Sequence, residues 1–313
     1  HGEGHSFPTR RSSDLPFVAL SLAAWLRLLE RPGSGAAAAL GAAVGAGLYA
    51  KYAILYAPLG MLAAALVSRR FRLARRHVGV AAAVALALAL PHLAWSVANG
   101  FVTAAHVAAD ARAGGIGLNW DDLAEFLGAQ FGVFGPLLFP AFLWAVVRAG
   151  RAGAPRGEAA LAWASAPVLA IVAVQALRGG AEPNWAAAAY AGATPLAVAL
   201  LLARAPRLLS ATLALHLAVA LILPAATAAP ELIRAPNGRP VMARMVGRED
   251  LAREIAAAAR EAGVSAIVAD NRGVLSDLLY TLRDADLAIH APPPAGAPGN
   301  HFEMAVPLPP ALG

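Results

Sequence analysis

The 313-residue sequence has no cysteine, a single lysine and few charges of either sign. Without cysteine there are no disulfides and no thiolate chemistry, and the redox compartment stays open. Charged residues make up 14% of the chain, where a soluble protein carries about a quarter. With 59% hydrophobic residues and a mean hydropathy of +0.59, that scarcity excludes an ordinary soluble domain. Lysine is confined to Lys51, every other basic side chain being arginine. Together with abundant Ala, Gly and Pro, this reads as the imprint of a GC-rich genome.

What the sequence does contain is a series of apolar runs, roughly residues 16–29, 36–50, 53–67, 78–98, 133–148, 159–177, 186–203 and 208–229. Their length and their Ala and Leu content predict helices. Several approach spanning length, so the expectation is an all-α polytopic membrane protein with about eight spans. The net charge of +6 does not call for a nucleic-acid partner. The arginines sit in short clusters between apolar runs, as cytoplasmic loops do under the positive-inside rule. One side then holds Arg27 and Arg31, the group Arg69, Arg70, Arg72, Arg75 and Arg76, then Arg148, Arg151 and Arg156, and finally Arg204 and Arg207. Lys51 and the connections 99–132 and 178–185 fall on the other. This alternation requires 36–67 to be two short spans meeting at Lys51. Eight spans from Pro16 also place everything after Pro230 outside.

Residues 1–15 are polar, and Phe7 to Leu15 reads like a translated sequencing adapter. No apolar core and cleavage site mark a signal peptide. The expected organisation is an artefactual segment at 1–15, a partial membrane domain at 16–230 and an extracytoplasmic domain at 231–313. In the last, a helix over 248–262, a strand over 265–270, a helix over 273–283 and a strand over 287–290 predict a small α/β unit with parallel strands. A Pro-rich linker and a closing strand or turn at 301–307 complete it. Between the two, residues 121–131 carry apolar side chains at helical spacing with acids opposite. They predict an amphipathic helix on the outer interface or packed beneath it.

Three outer-face features carry candidate chemistry. Lys51, with Tyr52 beside it, is a cation in an apolar run, which costs a few kcal/mol unless compensated. It either snorkels to the interface or grips an anionic group such as a lipid-linked phosphate. Glu182-Pro183-Asn184-Trp185 either starts and anchors a helix or offers a carboxylate, an amide and a flat ring to a sugar. His92 and His106 have no partners at metal-ligand spacing, which argues against zinc. His92 reads as a hydrogen-bonded packing residue, whereas His106 and Asp110, four apart, could share a cleft. Asp270-Asn271-Arg272-Gly273 lies where α/β folds bind ligands but lacks a Gly-rich phosphate turn.

Taken in order, the Lys-Tyr hairpin, Pro91-x-x-x-Trp95, the amphipathic helix before Gly135-Pro136, Glu182 to Trp185, Asp270-Asn271-Arg272 and Asn300-His301-Phe302-Glu303 form a pattern. It resembles the C-terminal part of bacterial glycosyltransferase family 39 proteins, relatives of protein mannosyltransferases and the aminoarabinose lipid A transferase. The resemblance implies a GT-C membrane enzyme that moves a sugar from a polyprenyl phosphate donor to a lipid, glycan or protein acceptor on the outer face. It implies inverting displacement at the anomeric carbon with the lipid phosphate leaving. It gives Lys51, Tyr52, His106, Glu182, Asn184 and Trp185 as substrate-binding candidates. The family's acidic base belongs to a first outer loop upstream of Pro16, so no catalytic residue is assigned and a fragment inactive alone is expected. No cofactor is read, and a divalent-cation requirement is not legible. Ser96 after Trp95 departs from the family's Trp-Asn pair. A flippase for lipid-linked saccharides and a non-catalytic membrane scaffold are the alternative readings.

Overall fold

The computed structural model describes residues 13–101, 117–151, 153–229, 233–234, 238, 240–241, 246–294, 296, 298 and 300–310. Among the described residues nine helices precede residue 230: α1 (Leu15–Glu30), α2 (Ser34–Ala50), α3 (Tyr56–Val67), α4 (Arg75–Ala98), α5 (Trp120–Val133), α6 (Leu138–Ala149), α7 (Arg156–Gly179), α8 (Ala187–Arg204) and α9 (Pro206–Ala228). Short 3-10 turns at Tyr52–Leu55, Arg69–Phe71 and Pro183–Ala186 lead into α3, α4 and α8. The chain divides into two units, one of residues 11–98 and 109–216, the other of 1–10, 99–108 and 217–313.

Every apolar run contains a helix, but not every helix is long enough to cross a bilayer. Among the described residues α4, α7, α8 with its leading turn, and α9 are long and apolar enough. The count rises to five if α5 and α6, bent by 107°, are one broken span. The figure of about eight spans is therefore not reproduced by helix length. The run 133–148, expected as a single span, is the short second half of that bent pair. Its 12 residues rise only about 18 Å at 1.5 Å per residue, against a hydrocarbon core of about 30 Å. The corner lies at Gly135-Pro136: Gly135 takes φ +104, a conformation open to glycine. The His216 ring lies so close that a β-carbon at 135 would sit 2.5 Å from its Cε1.

In a bilayer, helices gain nothing by hiding apolar surface from lipid, so close packing of small residues holds them. Gly41 and Gly45 of α2 meet the backbone of α4 at Ala81 and Ala85, and Gly60 of α3 meets the carbonyl of Ala164 on α7. The break at Lys51 thus separates two helices with different neighbours. α2 rests on α1 and α4, while α3 rests chiefly on α7. The pair diverges instead of closing as a self-packed hairpin. Trp25, Phe71, Phe126, Phe142 and Leu196 fill the centre of this unit.

In the other unit, α10 (Arg248–Glu261), β1 (Ala266–Val268), α11 (Arg272–Thr281) and β2 (Ala288–His290) follow in order. The strands are parallel, with Ile267 opposite Ile289. Ala252, Ala256, Leu275, Leu278 and Ile289 are buried together, and Arg248 pairs with Asp277 at 3.0 Å between the two helices. The closing segment differs from expectation. It is a one-turn helix, α12 (His301–Ala305), and Pro307 then bridges to Ala291. Asn300 explains the helix: its Oδ1 accepts from the Phe302 and Glu303 amides at 2.9 and 3.1 Å. Its Nδ2 donates to Glu303 Oε1 at 2.6 Å, in the manner of a capping box.

Candidate functional site

Lys51 sits in extended backbone (φ −169, ψ 142) between α2 and the following 3-10 turn. Its amide still donates to Gly47 O at 3.0 Å, closing α2. The side chain is half-buried. Around it the aromatic residues are ordered by α4. Tyr52 Oη is 2.7 Å from His92 Nε2, and Tyr49 Oη donates to Leu88 O at 2.8 Å. His92 stacks on Trp95 with the planes 14° apart, and both tyrosine rings lie 5.6 Å from it. The carbonyl that Tyr49 takes is Leu88 O, close before Pro91. His92, read from sequence as a packing residue, is the hub of this cluster. Its spacing from Trp95, one helical turn on, was the available signal.

The Glu182–Trp185 turn is positioned by different elements. Glu182 is exposed, and its carbonyl accepts the Trp185 amide at 2.9 Å. Trp185 is half-buried against the helical core. Asn184 Oδ1 is buried without a hydrogen-bond partner among the described residues. Beneath the turn lies Gln130 of α5, fully buried. Its Nε2 donates to Phe126 O at 2.8 Å and to Pro183 O at 3.3 Å, and its Oε1 accepts from Tyr190 Oη. Tyr190 in turn stacks on Phe134, with centroids 4.0 Å apart and planes within 3°. A buried amide that satisfies both a turn carbonyl and a phenol fixes the turn in one geometry. Gln130 was missed as a site-supporting residue. It stands on the apolar face of α5, four after Phe126, and a lone amide there was the clue.

The structure thus gathers the sequence candidates into two clusters, Lys51 and Tyr52 with α4, and Glu182, Asn184 and Trp185 with α5. His106 and Asp110 lie outside the described residues. A hollow of about 600 Å³ is lined by Gly117, Leu118, Asn119, Trp120, Asp121, Arg178 and Gly179. Asn119 starts α5 there, its Oδ1 accepting from the Asp122 amide at 3.2 Å, and its own amide donates to Leu177 O at 2.7 Å. Asn271 is a helix cap, its Oδ1 accepting from the Gly273 and Val274 amides at 2.9 and 3.2 Å. Among the described residues no three His, Asp or Glu side chains converge to hold a metal ion.

Comparison with known proteins gives two results. Residues 10–95 match the family described as dolichyl-phosphate-mannose-protein mannosyltransferase. Over 293 residues, 94% of this chain, the sequence is 40% identical to lipid A galacturonosyltransferase RgtD of Rhizobium johnstonii. The chain spans 62% of that relative's length. No solved structure matches. The 40% identity runs on far beyond the matched domain, so the chain is similar to a lipid A galacturonosyltransferase over most of its length and to the mannosyltransferase family over residues 10–95.

Proposed function

We propose that this chain is part of a glycosyltransferase that takes a sugar from a polyprenyl phosphate and delivers it to an acceptor on the outer face of the inner membrane. The observation that carries the reading is the 40% identity sustained over 94% of the chain. In this reading Lys51 holds the donor phosphate. A cation beside an apolar wall attracts a phosphate more strongly than one in water, and it stabilises the charge that grows on the leaving phosphate by a few kcal/mol. Tyr52 and His92 steady the wall of that site.

The Glu182–Trp185 turn contacts sugar hydroxyls. Support comes from Asn184 Oδ1, a buried acceptor whose missing bond costs about 1–3 kcal/mol and which a hydroxyl would supply. Residues 231–313 form a small outer α/β domain. The relative's name makes galacturonosyl the first donor sugar to try and lipid A the first acceptor. No residue of this chain is assigned as the base.

Donor binding tests the proposal without requiring turnover. The detergent-purified chain is titrated with polyprenyl phosphate galacturonate and with the matching polyprenol. Expected is a clear preference for the phosphate, reduced about tenfold (about 1.4 kcal/mol) in Lys51→Ala and largely kept in Lys51→Arg. Equal affinity for phosphate and alcohol, or a Lys51→Ala chain that binds like wild type, overturns it.

A further inference from the structure

We propose a second lipid site, separate from the Lys51 cluster, that binds one anionic diacyl phospholipid between α2, α3 and α4. A cavity of about 310 Å³ opens there, walled by Trp25, Leu40, Val44, Met61, Phe71 and Val78 among others. Its size is at the lower end of ligand sites, and its lining offers water almost no hydrogen-bond partner, so it suits a stretch of acyl chain. Leu62, Val78 and Ala82 line it and are also exposed, which leaves it open at the side.

The rim is what selects the occupant. Arg70, Arg72 and Arg156 stand in or beside the 3-10 turn Arg69–Phe71, and two of them are tied to residues of the cavity wall. Arg70 lies over the ring of Phe71, 4.7 Å from its centroid. Arg72 Nε donates to Ala65 O at 3.0 Å, leaving both of its Nη groups for other acceptors. Arg156, at the start of α7, donates through Nη2 to Arg70 O at 2.6 Å. All three arginines are exposed, and Phe71 and Ala65 line the cavity.

Three exposed cations anchored on one short stretch of chain favour an anion beside them. A phosphate is the geometric match, since guanidinium forks bind its oxygens in pairs. Basic pockets between membrane helices take acidic headgroups on this principle. A free phosphate would use the rim but leave the apolar cavity empty. A zwitterionic lipid would fill the cavity and present a phosphate, but its ammonium would add to the positive charge already at the rim. An anionic phospholipid satisfies both, headgroup on the arginines and one chain in the cavity.

The test is native mass spectrometry of the purified full chain, exchanged into mixed micelles with equal phosphatidylglycerol and phosphatidylcholine. One retained phosphatidylglycerol per chain is expected, at least fivefold over phosphatidylcholine. The combined change Arg70→Gln, Arg72→Gln and Arg156→Gln should bring that preference below twofold. The lysine versions of the same three should keep most of it, which separates loss of charge from loss of fold. Ala82→Phe, which fills the cavity from its exposed edge, should lower retention of both lipids. Equal retention of the two lipids by wild type overturns the proposal. So does unchanged phosphatidylglycerol retention in the glutamine variant. Full retention in Ala82→Phe would overturn the cavity's role, leaving a headgroup site only. All chains, the one with the wild-type rim included, are compared in the Lys51→Ala background, so that lipid held at the Lys51 cluster is not counted.

Discussion

Tyr52 Oη and His92 Nε2, forty positions apart in the chain, meet at 2.7 Å. This bond fixes the turn that follows Lys51 to α4. Tyr52→Phe keeps the ring and removes the bond, which should cost about 1 kcal/mol of stability. Weaker donor binding is expected with it, because the lysine loses its fixed neighbour. His92→Ala should cost more, since it also removes the stack on Trp95. Thermal unfolding in detergent, run beside the donor titration, checks both.

Gln130 supports the Glu182–Trp185 turn from beneath, through Pro183 O. Gln130→Leu keeps the volume but leaves Pro183 O and Tyr190 Oη without their buried partner. The expected loss is about 2–4 kcal/mol, with a marked fall in the melting temperature. Tyr190→Phe removes one of the same bonds and should cost less. The double variant should be less than additive, because the two side chains share one bond.

Helix contacts at glycine make a third prediction. A β-carbon at Gly60 would run into the carbonyl of Ala164, whereas Gly79 has nothing within 4 Å. Gly60→Ala should destabilise by about 1–3 kcal/mol as α3 is pushed off α7. Gly79→Ala should be neutral or slightly stabilising, since alanine is the better helix former. The comparison is a pair of melting curves.

In the C-terminal unit, Asn271→Ala removes the cap of α11. A loss of about 1 kcal/mol is expected from that class of change, with donor affinity unaltered. If Asn271→Ala instead abolished donor binding with the fold intact, the strand-end loop would be part of the site.

Helices were the most legible feature of the sequence, because continuous apolar runs leave little choice of backbone. Span counting was less so. The run 133–148 looks like one crossing, and only Gly135-Pro136 betrays the corner that makes it half of a bent pair. Of the site, Lys51 was visible as a charge without local compensation, and Glu182 to Trp185 as a polar group between two apolar runs. The hub roles of His92 and Gln130 left only local hints, a ring one turn before Trp95 and a lone amide on an apolar face, since their deciding partners lie forty or more residues away. The three-arginine rim was half visible: Arg70 and Arg72 are neighbours in sequence, but nothing local brings Arg156 to them.

The corner at Gly135 carries one more consequence. Two independent restraints act on that single position, a positive φ that disfavours side chains and an imidazole from α9 occupying the space one would need. Trimming His216 to alanine would lift only the second. A chain carrying both Gly135→Ala and His216→Ala should therefore remain impaired. The defect of that pair measured against the single His216→Ala chain gives the backbone penalty on its own, free of any collision.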